Sequence, residues 1–164
     1  MMLAEAPQIL IALEQSGLGA AIRQSSWAYP AANVGHILAL TLFAGGVAAM
    51  DMRLLGAFAA APPASIVRPA RRVATLGLLL MALTGSVLFT AEASHVAMNP
   101  VFQIKAALIA LGVLNALLVA RPLAAVLDQA PAFEPLPARI RLAALASLLI
   151  WTSVAACGRL IAYF

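Results

Sequence analysis

An all-α fold is what this sequence predicts: an integral membrane four-helix bundle preceded by a short amphipathic interfacial helix. Three observations carry that reading. The chain is 64% hydrophobic and only 10% charged over 164 residues, against about 25% charged in soluble domains. A chain this short has no interior large enough to hide so much apolar surface, so lipid must cover it. Four apolar runs, at 31–50, 73–92, 101–120 and 142–162, each come close to the roughly 20 residues an α-helix needs to cross a bilayer. Between them stand arginine, proline and aromatic residues, as expected at the flanks of membrane helices. Residues 1–164 are read as a single membrane domain.

The elements follow in order. Segment 6–24 is too polar and too short to span. Its Ile9, Leu10, Leu13, Gly17, Ala20 and Ala21 keep helical spacing, with Glu14, Gln15 and Arg23 mostly elsewhere. It is an amphipathic helix that lies on the membrane surface or caps the bundle. Trp27, Tyr29 and Pro30 lead into the first span, 31–50, and Asp51 and Arg53 close it. Asp51 is expected to pair with Arg53 or Arg71 at the helix end. The loop 51–72 holds Arg53, Arg68, Arg71 and Arg72 with the turn formers Pro62, Pro63 and Pro69. The second span, 73–92, reaches a short connection, 94–100, in which Asn99-Pro100 signals a turn and a helix start. The third, 101–120, is ended by Arg121-Pro122, and a second proline-rich loop leads to the fourth, 142–162. At an offset of 68, Arg53, Pro63, Pro69 and Arg71 fall on Arg121, Pro131, Pro137 and Arg139, a hint of two duplicated hairpins.

Seven of the ten basic residues lie in the two long loops. The positive-inside rule then places those loops in the cytoplasm of a bacterial inner membrane and both termini in the periplasm. The net charge of +4 does not form a basic patch interleaved with aromatics, so nucleic acid is excluded as a partner. Cys157 is the sole cysteine, which excludes a disulfide framework and a paired-cysteine metal motif. Segment 1–24 carries Glu5 and Glu14 and lacks a basic start, unlike a cleavable signal peptide. No phosphate-cradling loop, zinc-protease motif or nucleophile elbow is present, and the chain is read as a non-enzyme when alone.

Polar groups inside a membrane face protein by default. His36 shares a helix face with Leu40, Phe43 and Val47, and His95 follows the second span, so both histidines fall toward the periplasmic side. Neutral imidazole ligates haem iron or copper, and facing helices of a four-helix bundle commonly house such groups. Haem b held by His36 and His95, with Lys105 and Arg159 as charge partners, is the leading expectation. The heights of the two histidines differ by about 12 Å along ideal helices, a large gap for one shared haem. Copper held by His36, His95 and Met98 is the alternative, and a cofactor-free structural or assembly subunit is the third. A hydrogen bond between helices for His36, and solvation for His95, account for those residues without any ligand.

Several pieces together resemble an uncharacterised family of small four-span bacterial inner-membrane proteins, a domain of unknown function. They are Trp27-x-Tyr29-Pro30 with His36, Asp51-x-Arg53-Leu54-Leu55-Gly56, Asn99-Pro100-x-Phe102-Gln103-x-Lys105, Asn115-Ala116-Leu117 and Gly158-Arg159-x-Ile161-Ala162-Tyr163. The resemblance implies a small periplasmic protein partner besides the lipid bilayer, and a homo-oligomer is a further expectation. Where relatives are expected to carry a late histidine in the third span, this chain has Leu118-Val119, which weakens any scheme needing a third imidazole. The layout also looks like small b-type cytochromes and copper-resistance membrane proteins, a likeness of fold only.

Overall fold

A computed structural model describes residues 6–163. Among these, the helices run α1 Gln8–Glu14, α2 Gly17–Gln24, α3 Ala28–Leu55, α4 Pro63–Ala91, α5 Ala93–Met98, α6 Pro100–Leu127 and α7 Ala138–Leu160, closed by a 3-10 turn, Ile161–Tyr163. Helices α3, α4, α6 and α7 are each long and apolar enough to cross a membrane, and the chain is a multi-pass membrane protein. With 23 to 29 residues, they extend about 35–44 Å, past the hydrocarbon layer of about 30 Å.

That overhang corrects the expected boundaries. The predicted loop 51–72 shrinks to 56–62, because α4 begins at Pro63, where proline's missing N–H costs nothing. Pro69 lies inside α4, and Arg68, Arg71 and Arg72 sit on helix rather than in a loop. Arg121-Pro122 does not end the third span; α6 continues to Leu127. A proline in a helix interior costs about 3 kcal/mol. Leu123 and Leu127 repay it by burying against Leu54, Val67, Leu136 and Ile140, at roughly 1.5–3 kcal/mol each. The two loops are thereby shorter, and α3, α4, α6 and α7 close over a compact apolar knot at the arginine-rich end. The offset-68 matches do not survive as structural equivalents: Pro69 is inside α4, while Pro137 precedes α7.

The expected ion pair of Asp51 with Arg53 or Arg71 is not formed. Among the described residues, the ion pair is the exposed one between Arg68 and Asp128. Arg53 is buried and donates Nε and Nη2 to the Ala61 carbonyl at 3.1 and 2.8 Å, fastening the α3–α4 turn. Gly56 closes α3 at φ +111°, with Gly56 N–H on Arg53 O and Ala57 N–H on Met52 O, a Schellman ending that glycine makes easy.

Segment 6–24 is two helices rather than one. Ser16 breaks it and caps α2 by accepting from Gly19 N–H at 3.2 Å. Helix α1 packs on α5 and α2 on α4, so the pair caps the bundle instead of lying free on the surface. The connection 94–100 is mostly helix α5, and Asn99 caps α6 through Val101 and Phe102 N–H, with Pro100 first in the helix as expected.

Two side chains hold this cap. Glu14 accepts from the backbone and hydroxyl of Ser94 at the start of α5, and Arg23 donates to the Glu14 and Ala91 carbonyls at 2.7 and 2.8 Å. The Ser94 hydroxyl, then its N–H, hold the Glu14 carboxyl below the usual glutamate range, with lesser help from Arg23 and His95. A carboxyl with a lowered folded pKa stabilises the fold above its unfolded pKa and loses that contribution as pH falls through the folded value. Protection of the Ser94 amide, taken against its intrinsic exchange rate at each pH, is therefore expected to fall only in acid, and Glu14→Gln is expected to remove that pH dependence. Equal acid sensitivity in both proteins would contradict the assignment.

In the bundle, α3 packs on α4 and α7, and α6 packs on α7, while α4 and α6 share no packed seam. The α3–α4 seam is tight. A Cβ on Gly77 would lie 2.6 Å from Phe43 N, and one on Gly46 would lie 2.7 Å from Ala74 N. Small residues permit such backbone approach in membranes.

Candidate functional site

The missing α4–α6 seam leaves a cleft of about 770 Å³ in the half of the bundle nearer the cap, within the range of small-molecule and cofactor sites. Its walls are nearly all apolar, with Phe43, Met81, Phe89, Phe102 and Trp151 prominent. Phe89 of α4 stacks on Phe102 of α6 with centroids 5.6 Å apart, the contact that joins those helices toward the cap, and Leu13 of α1 borders the cleft. At the opposite side Phe43 and Trp151 meet edge to face at 4.6 Å.

Among the described residues, His36 and Lys105 are the titratable groups in this wall. The face drawn from the sequence holds: His36, Leu40, Phe43 and Val47 all line the cleft. His36 is half-buried and its Nδ1 lies 2.9 Å from Thr84 Oγ1. Thr84 gives its own proton to the Leu80 carbonyl at 2.7 Å, so its oxygen accepts from His36 Nδ1–H. With that proton on Nδ1, the neutral ring carries its lone pair on Nε2, the form that ligates a metal or accepts a hydrogen bond. Gly85 makes room for the ring, since a Cβ there would lie 3.3 Å from Cε1.

Lys105 reaches the cleft from α6, beside Gly158 of α7, where a Cβ would lie 3.5 Å from Nζ. It lies within electrostatic reach of His36. Among the described residues no carboxylate pairs with it, so the cleft presents an ammonium without a counter-charge.

The other expected site residues lie elsewhere. His95 and Met98 are exposed on α5 and do not line the cleft, and His95 acts electrostatically on Glu14. Helix α4 stops at Ala91 and Glu92 turns the chain into α5, which carries His95 off the stripe that Thr84 and Gly85 follow. Arg159 donates to the Tyr163 hydroxyl at 2.6 Å and stacks over its ring at 4.8 Å. No group of three or more His, Cys, Asp or Glu is gathered among the described residues. Sequence reasoning gave Thr84 no role. The available signal was that Thr84 and Gly85 sit together on the face turned to α3, where a polar partner for His36 had to come from.

No curated protein and no solved structure matches the chain. One family model does, over residues 14–164, nearly the whole length. It begins at Glu14, which fastens α1 to α5, and takes in all four spanning helices and both His36 and Lys105 of the cleft. The chain belongs to the family of unknown function DUF6644.

Proposed function

We propose that this protein binds haem b in the α4–α6 cleft, with His36 as the iron ligand and Lys105 as partner for a propionate. The observation that supports it most is the pairing of an oriented, neutral imidazole with an uncompensated ammonium in one apolar, aromatic-lined cleft. A ligand matching that wall is flat and largely apolar, with an electron-poor centre for Nε2 and an acid for Nζ. Haem b has all of these, and its iron would supply a one-electron couple. Thr84 holds the ligand nitrogen in its tautomer, as hydrogen-bonded partners of metal-binding histidines do.

Positive-inside reasoning orients the bundle with the arginine-rich end in the cytoplasm and the cleft toward the periplasm of a bacterial inner membrane. There it would exchange electrons with a partner at the outer face. Copper on His36, His95 and Met98 draws less support, since two of those three residues lie on α5 outside the cleft.

Trp151 lines the cleft and Trp27, the other tryptophan, is 82% exposed. In Trp27→Phe protein, haem is expected to quench Trp151 emission saturably at one per chain. Thr84→Val is expected to weaken that binding by about 10–100-fold. Quenching that never saturates would overturn the reading.

A further inference from the structure

A second cavity, of about 240 Å³, lies on the arginine-rich side of the Phe43–Trp151 pair, which lines both spaces. Every spanning helix contributes polar residues to it: Asp51 from α3, Arg71 and Thr75 from α4, Asn115 from α6 and Ser147 from α7. Asp51 is 1% exposed and Ser147 is 7% exposed. Ser147 lines the cavity together with Asp51, and Oδ2 of Asp51 is left buried with no partner among the described residues. Asn115 spends its amide N–H on the Ala143 carbonyl at 3.0 Å.

The charged surroundings decide the state of this carboxyl. On α4, Arg71 borders the cavity but is exposed, and it forms no ion pair among the described residues. On α3 itself, Arg53 is committed to Ala61 O. Helices α6 and α7 contribute no titratable group to the cavity. An ionised carboxylate this buried, without a paired cation, costs several kcal/mol. A proton removes that cost without moving any helix.

We propose that Asp51 is a proton-binding site that takes up a proton and exchanges it with the arginine-rich side through the inner cavity. At about 30 Å³ per water, the cavity holds several, and its polar lining can bind them. The exchange is an acid dissociation in which the Asp51 O–H bond breaks, its electron pair stays on the carboxylate, and a cavity water becomes hydronium. Arg71, the cation at the cavity edge, then faces the new negative charge. This site stands independently of the haem reading.

The chain has two aspartates, Asp51 and Asp128, and Asp128 is exposed. Full-length Asp128→Asn protein carrying carboxyl-labelled aspartate therefore reports Asp51 alone by infrared spectroscopy. An isotope-shifted carboxylic-acid C=O band is expected in mild acid, where an exposed aspartate is already ionised, and is lost as the pH rises. A carboxylate band throughout mild acid would overturn the proposal, as would an acid band that never titrates. A band that responds to sodium rather than to pH would assign the site to a cation and overturn it as well. The isotope label keeps the assignment intact even where Asp51→Asn does not fold.

Discussion

Alanine in place of His36 is expected to abolish haem binding and to leave the bundle folded. Removing the ring strips the cleft of its Nε2 lone pair, the only imidazole in the wall. Thr84 tolerates the loss, because its hydroxyl proton already goes to Leu80 O and no donor is stranded. Losing an orienting partner costs about 10–100-fold in metal affinity, and losing the ligand should cost at least the upper end of that range. Haem titration followed at the Soret band, beside helix content by circular dichroism, separates the two outcomes. Full helix content with a loss of less than tenfold would place the ligand elsewhere. Collapse of the fold would show His36 to be a structural residue.

Leucine in place of Gly77 is expected to break the α3–α4 seam. Its Cβ alone would stand 2.6 Å from Phe43 N and 2.8 Å from Phe43 Cα, and backbone cannot yield as a flexible side chain can. Overpacking commonly costs about 1–3 kcal/mol; here it also drives apart two helices that lipid offers no hydrophobic incentive to keep together. The same displacement separates Phe43 from Trp151 and His36 from Thr84, so haem binding should fall with stability. Gly45→Leu is the control, since nothing lies within 4 Å of its Cβ position. Unfolding in mild detergent should show a large loss for Gly77→Leu and little for Gly45→Leu. Equal losses would mean that the seam is not set by close approach.

The four spans and their inward faces were legible in the sequence because both follow from hydropathy and helical spacing. His36, Leu40, Phe43 and Val47 were placed on one face, and all four line the cleft. Asn99-Pro100 fixed a helix start because its chemistry is local. The helix ends were not legible. Pro69 and Arg121-Pro122 read as stops, and what overrides them is burial of Leu123 and Leu127 against residues distant in the chain. The separation of His95 from His36 was only half legible. Counting residues gave a height mismatch, but the break at Glu92 that turns His95 toward Glu14 depends on tertiary contacts at the cap. Asp51 was misread for a similar reason. Arg53 two residues on and Arg71 in the same expected loop made an ion pair the natural expectation, yet Arg53 turns to Ala61 O and Asp51 lines a cavity with Ser147.

A reduced-minus-oxidised absorption spectrum of the protein purified from its own membranes in mild detergent tests the central claim most directly. The account predicts b-type α and Soret bands at a stoichiometry of one haem per chain, lost in His36→Ala. A featureless spectrum from folded protein that also fails to take up added haem would contradict it.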